Sequence, residues 1–160
     1  MASRVWPAIA VLVLLLPAAA AASAQDLLDP DDAFRVSARA LDPATIELIY
    51  RVAPGYYLYR EKFGFEVARP AGAALGKPGF PAGRMKKDPF FGEVEIYRGE
   101  TRIRLPVSSP PGLDKILLRA RSQGCADVGV CYRPHVHELV VPMNGSRIDR
   151  PPLPSFLSRP

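Results

Sequence analysis

The sequence predicts an all-β chain, an antiparallel sandwich of roughly seven or eight short strands. Three observations predict it. Apolar and polar residues alternate with a period of two in one stretch after another. Prolines and glycines, 18 and 12 in 160 residues, punctuate nearly every one of those stretches. No window carries a convincing 3.6-residue period, so helices are not expected between the strands.

Taken in order, the chain opens on an address. Arg4 supplies a positive charge, residues 8–16 are apolar, and Ala22-Ser23-Ala24 fits a small-x-small cleavage site before Gln25. Residues 1–24 therefore read as a cleaved secretory signal peptide. The apolar run is too short to span a bilayer comfortably, Pro17 stops its extension, and no cysteine follows it to carry a lipid. The expected mature chain is exported, soluble and not membrane-embedded, in an oxidising compartment where a disulfide persists.

Residues 25–143 form the expected domain. Phe34, Val36, Ala38 and Ala40 alternate with Arg35, Ser37 and Arg39, and Asp42-Pro43 breaks the run. Ile46, Leu48, Tyr50 and Val52 then face one way, Glu47 and Arg51 the other. After a Pro54-Gly55 turn come the aromatic residues 56–59, then Phe63, Phe65 and Val67 in alternation. Residues 70–83 read as loop. Val94 and Ile96 begin a short strand, and Ile103, Leu105 and Val107 alternate against Arg102 and Arg104. Residues 116–122 and 136–143 are the last two expected strands, and residues 144–160, rich in proline, are expected to be a mobile tail.

Losing residues 1–24 removes Arg4 and lowers the formal net charge from +5 to +4 over 136 residues. The basic residues, from Arg35 and Arg39 to Arg119 and Arg121, are dispersed along strands, with no dense stripe interleaved with aromatics. Solvated strand faces explain that pattern, and no nucleic-acid partner is expected.

The only two cysteines stand at Cys125 and Cys131, in the connection between the last two strands. An ordinary immunoglobulin domain joins distant strands across its core, whereas this pair lies in one loop at an end of the sandwich. As a staple, so short a closed loop stabilises by only about 2–2.5 kcal/mol. A redox pair needs one thiolate to attack and a second thiol to resolve the mixed disulfide, and two cysteines on a turn can supply both. Spacing alone leaves two rivals open. One is a non-catalytic binding module with a structural disulfide. The other is metal binding by Cys125, Cys131, His135 and His137, a C-x5-C-x3-H-x-H set whose histidines share a strand face. Those histidines otherwise read as solvent-side strand residues.

Two further stretches stand out. Residues 85–92, Met-Lys-Lys-Asp-Pro-Phe-Phe-Gly, set Phe90 and Phe91 between a proline and a glycine, where both cannot point into a core. In residues 55–60, Tyr57 and Tyr59 share a face and offer an apolar ring with a polar tip.

Taken together, GYYLYR (55–60), FFGEVEIYR (90–98) and QGCADVGVCY (123–132) resemble the amino-terminal periplasmic domain of the DsbD-type thiol:disulfide interchange proteins over roughly residues 27–143. The resemblance implies an immunoglobulin-like sandwich that works without a bound cofactor. It implies a periplasmic relay, taking electrons from a membrane-linked thioredoxin-like donor. The acceptors would be oxidised thioredoxin-fold proteins such as disulfide isomerases or the reductants of cytochrome c maturation. It implies that Cys131 exchanges with partners and Cys125 resolves, that Phe90 caps the pair, and that Asp88, Phe91, Tyr57 and Tyr59 line it. Two departures are visible. Family members often carry a second acidic residue where this chain has Pro89. The familiar members also continue into a multi-span membrane domain and a thioredoxin-like domain, whereas this sequence ends at Pro160, so its electrons are expected from a separate transporter.

Overall fold

Alternation in the sequence becomes alternation in burial along the long strands. In β8 (Glu100–Ser108), Thr101, Ile103, Leu105 and Val107 are buried and every residue between them is exposed. In β9 (Lys115–Ser122) and β11 (His135–Pro142) the buried sets are Ile116, Leu118, Ala120 and Ser122, and His137, Leu139 and Val141. The computed structural model that gives these positions describes residues 27–89, 91–143 and 147–148. The expected signal peptide, Phe90 and most of the expected tail lie outside the described residues.

β1 (Phe34–Asp42) and β2 (Thr45–Val52) form a hairpin whose turn is closed by Ala44 N–H donating to Asp42 Oδ1 at 2.7 Å. β2 lies between β1 and β8 and is buried on both faces. Its outward Glu47, which the alternation assigns to solvent, is 3% exposed. Arg39 reaches its Oε2 at 2.7 and 2.9 Å and Arg102 at 3.3 Å, the partners a buried carboxylate requires.

The remaining elements are α1 (Pro30–Ala33), β3 (Tyr56–Tyr59), a 3-10 turn at Arg60–Lys62, β4 (Gly64–Arg69), β5 (Ala74–Leu75), β6 (Arg84–Asp88), β7 (Gly92–Tyr97), β10 (Gly124–Ala126) and β12 (Arg147–Ile148). All strand pairs are antiparallel. They build sheets ordered β12-β1-β2-β8-β5, β10-β3-β7-β6 and β11-β9-β4. The main core fills the space between the first and third of these with Ile46, Leu48, Tyr50, Ile103, Leu105, Ile116, Leu118, Leu139 and Val141. The fold is the expected immunoglobulin-like sandwich, all-β among the described residues but for one turn of α-helix and one 3-10 turn.

Several elements exceed the expectation. β6 has the sequence RMKKD, with no apolar alternation, because four of its five residues stay exposed or half-buried and the fifth, Asp88, is buried as a charged side chain. Residues 70–83, expected as loop, contribute β5 and a bridge from Gly79 to Arg104, both on the edge of β8. Arg147 and Ile148, inside the expected tail, pair with Arg39 and Ala38 of β1. α1 starts at Pro30 with Asp31 and Asp32 in its first turn, favourable helix-start chemistry too short to register as a period.

The four-stranded sheet carries the site. β3 is buried on both faces. Tyr56 and Leu58 point into the main core, while Tyr57 and Tyr59 join Val94, Ile96 and Cys125 in a second, smaller cluster.

Candidate functional site

β9 and β11 are paired neighbours, with Ser122 opposite His135, and the cysteines lie in the connection between them. That connection does not merely turn. Its first part, β10, crosses to pair with β3, setting Cys125 opposite Tyr57. The crossing demands glycine at 124, where a Cβ would collide with the Tyr57 carbonyl and stand 2.7 Å from the Phe34 ring. The chain then reverses through Gly129 at φ +90°, with Gly129 N–H donating to Ala126 O at 3.0 Å and Ala126 N–H to Val130 O at 2.8 Å.

This reversal brings Cys131 beside Cys125, and the two are disulfide-bonded. Their surroundings differ. Cys125 is wholly buried against Tyr57, Tyr59, Val94 and Ile96, whereas Cys131 is exposed. Val128 and Val130, on the loop between them, are exposed at 59% and 42%.

Tyr59 ties the sulfurs to the acidic residue. Its hydroxyl donates to Asp88 Oδ2 at 2.7 Å, and its oxygen lies 3.2 Å from Cys125 Sγ and 3.9 Å from Cys131 Sγ. Tyr57 Oη is 3.4 Å from Tyr59 Oη and 3.5 Å from the same Asp88 oxygen. Asp88, 4% exposed, also accepts from Phe91 N–H at 3.2 Å across the β6–β7 turn. Burial, then the Tyr57 and Asp88 contacts, push the Tyr59 hydroxyl far above its ordinary range, so it remains a neutral O–H. Phe91 stands half exposed, its ring edge-on to Tyr59 at 5.4 Å with Lys62 Nζ 4.5 Å from its centroid. Of the expected residues, the structure thus assembles Cys125, Cys131, Tyr57, Tyr59, Asp88 and Phe91, while Phe90 lies outside the described residues.

Two supports went unread in the sequence. Arg98, just after β7, grips Asp127 of the cysteine loop through two hydrogen bonds of 2.5 and 2.9 Å. It also donates to Tyr56 O at 3.1 Å and lies 5.1 Å from the Tyr57 ring centroid. Its guanidinium holds the Asp127 carboxyl below the usual range. Arg98 closes the FFGEVEIYR motif, the one signal that could have marked it. The other support is the N-terminal segment. Tyr132 packs edge-on to Phe34 at 5.4 Å and donates to Leu28 O at 2.6 Å. Burial and the neighbouring Tyr56 hydroxyl push the Tyr132 phenol up to about 12, so this donor does not ionise near neutral pH.

The four-ligand metal set is not assembled. The sulfurs are bonded to each other, and the imidazoles of His135 and His137 meet Asp31 of α1 instead. Nor is His137 a solvent-side residue: it is 1% exposed. Among the described residues no helix is long and apolar enough to cross a membrane.

Comparison with known proteins agrees with this geometry. The family model described as "Thiol:disulfide interchange protein DsbD, N-terminal" matches residues 24–142. Thiol:disulfide interchange protein DsbD 2 of Pseudomonas aeruginosa is 35% identical over 82% of this chain and 23% of its own length. Thiol:disulfide interchange protein DsbD of Ralstonia nicotianae is 40% identical over 79% of the chain and 20% of its own length. The chain therefore spans about a fifth to a quarter of these curated relatives. Among solved structures, the reduced DsbD N-terminal domain of Neisseria meningitidis superposes with a TM-score of 0.66 at 32% identity, over 78% of this chain and 95% of that one. The same domain in complex with the PilB N-terminal domain gives 0.61 at 35% identity, over 72% and 87%. With family, fold and paired cysteines in agreement, this chain belongs to the DsbD N-terminal domain family.

Proposed function

We propose that this protein is a periplasmic thiol–disulfide relay, a protein-disulfide reductase working through reversible opening of the Cys125–Cys131 bond. The observation that carries it is the asymmetry of the pair, one sulfur exposed on an apolar loop and the other buried against a tyrosine–carboxylate frame. A donor thiolate attacks Cys131 Sγ, the S–S bond breaks, and Cys125 leaves as a thiolate that takes up a proton. A second donor thiol then attacks the mixed disulfide, releasing Cys131 as a thiol and the donor as a disulfide. Two electrons and two protons have entered. Passing them on reverses the roles, with Cys131 attacking an oxidised acceptor and Cys125 resolving.

The frame favours that division of labour. Tyr59 commits its proton to Asp88, leaving its oxygen to accept an S–H from reduced Cys125. The Asp88 charge opposes ionisation of nearby thiols, keeping them quiet until a partner docks. Phe91 packs edge-on to Tyr59 beside the pair, Phe90 is the residue that the family resemblance makes the cap against stray oxidants, and Val128 and Val130 supply an apolar landing for a thioredoxin-fold partner. A neisserial DsbD N-terminal domain was solved in complex with the PilB N-terminal domain, which supports docking of a protein partner on this kind of domain. The donor in this reading is a membrane-linked thioredoxin-like protein; the acceptors are disulfide isomerases or cytochrome c maturation reductants.

Redox titration tests the reading. The bond should equilibrate with glutathione or thioredoxin buffers, and Cys125→Ser should trap mixed disulfides on Cys131 with thioredoxin-fold proteins. A bond that resists such buffers, with no trapped species from a folded Cys125→Ser protein, would mark a binding module with a structural disulfide.

A further inference from the structure

The thiol chemistry leaves His135 and His137 unused, and they do not stand alone. Period-two alternation puts both on one face of β11, where their rings meet edge to face at 4.4 Å. Asp31, brought over by α1, sets its Oδ1 at 2.8 Å from His135 Nε2 and 3.8 Å from His137 Nδ1. One donor atom from each of the three side chains lies within 4.8 Å of the other two. His137 is 1% exposed and fixed by its surroundings, while the Asp31 and His135 side chains are each 33% exposed. The cluster thus has one wall inside the protein and two at its rim, leaving a route in from solvent.

We propose that Asp31, His135 and His137 form a binding site for a divalent transition-metal ion. Two imidazoles and a carboxylate suit zinc(II) or copper(II), not the all-oxygen preference of calcium or magnesium. Bonds of about 2.0–2.2 Å to tetrahedral zinc place neighbouring ligand atoms about 3.3 Å apart. The Asp31–His135 spacing is about 0.5 Å under that value and the Asp31–His137 spacing about 0.5 Å over it. The third spacing, between the two imidazoles, lies within 4.8 Å, so binding draws the two rim side chains in toward His137, with water completing the shell. A bound ion fastens α1 to the start of β11. The same N-terminal segment backs the cysteine loop through Leu28, Tyr56 and Tyr132, so the ion stiffens the support of the redox loop without entering it.

Isothermal titration of tag-free, fully oxidised protein with zinc chloride, and separately with copper sulfate, tests the site while the disulfide keeps sulfur out of reach. One equivalent should bind near neutral pH, and a chelator should reverse an accompanying rise in melting temperature. His135→Ala and Asp31→Asn, both at half-exposed positions, should each weaken binding at least about tenfold, a loss that even outer-shell changes can produce. A protein carrying both Cys125→Ser and Cys131→Ser should lose thiol exchange and keep the metal. No saturable binding of either ion, or binding that survives His135→Ala and Asp31→Asn unchanged, overturns the proposal and leaves an ordinary histidine–aspartate contact.

Discussion

The two apolar clusters of this molecule are built on different principles. The main core, between the five-stranded and three-stranded sheets, is largely aliphatic, with Ile46, Leu48, Ile103, Leu105, Ile116 and Leu118 all at 0% exposure. The small cluster holds Val94, Ile96, Tyr57, Tyr59 and Cys125, and places two phenol groups and the Asp88 carboxylate beside a disulfide. Burying that many polar atoms next to five side chains is a poor way to stabilise a domain. It is a good way to hold one sulfur in a fixed electrostatic setting. β3 joins the two, since alternate residues of its four face each cluster. In the proposed relay, stability and chemistry fall on opposite faces of one strand, and substitutions should separate them.

The widest separation comes from the exposed sulfur. Cys131→Ser should abolish disulfide exchange, measured as reduction of a thioredoxin-fold substrate, while lowering unfolding free energy by no more than about 2–2.5 kcal/mol, the closure entropy of so short a loop. The converse is Ile103→Ala in the main core, which should cost about 2–5 kcal/mol in denaturant unfolding and leave the redox equilibrium of the remaining folded protein unchanged. If Cys131→Ser proved the more destabilising of the two, the disulfide would be a staple and the division between clusters would fail.

How far this division was legible in the sequence follows from the range of the interactions. β8, β9 and β11 were readable because one face of each is buried, and burial writes a period of two. β6 was not, because Arg84, Met85, Lys86 and Lys87 stay exposed or half-buried and its one buried side chain, Asp88, is charged. The cysteine loop announced itself as the only pair. Its frame did not: Asp88 is 29 residues from Tyr59, and Asp31 is 104 from His135, separations that no local pattern records. Tyr57 and Tyr59 stood out by sharing a strand face, but their place beside the sulfurs, like that of Asp88, came from family resemblance, which carries long-range contacts implicitly. Arg98 closes the FFGEVEIYR motif, yet a lone arginine after a strand reads as solvated surface.

Within the small cluster, the frame's electrostatic share can be isolated. Asp88→Asn keeps the shape and removes the charge, so in the reduced protein the thiolate fraction at a given pH should rise roughly tenfold, read from thiolate ultraviolet absorbance. The main core should register only a modest change, about 1–2 kcal/mol, from the altered hydrogen bond of Tyr59. An unchanged thiol titration in Asp88→Asn would remove the carboxylate from the mechanism and leave it a purely structural partner of the tyrosines.

The smallest expected effect concerns the clamp outside both clusters. Arg98 lowers the Asp127 carboxyl mainly by hydrogen bonding, at side-chain exposures of 32% and 46%. A carboxyl depressed in the folded state contributes stability above its unfolded value of about 3.9 and loses it as pH falls through the folded value. Asp127→Asn should therefore cost less than about 1 kcal/mol near neutral pH, because solvent screens so exposed a pair. That difference from the unsubstituted protein should shrink on acidification through the range below about pH 4, and also in high salt. The redox readout should be more sensitive than the stability. Asp127 lies between the two sulfurs in sequence, and its release frees the loop that presents Val128 and Val130. Docking of a thioredoxin-fold partner should then weaken while the reduction potential holds. A shifted potential with unchanged docking would instead place the clamp among the groups that tune the sulfurs, and would move the boundary of the reactive cluster outward to Arg98.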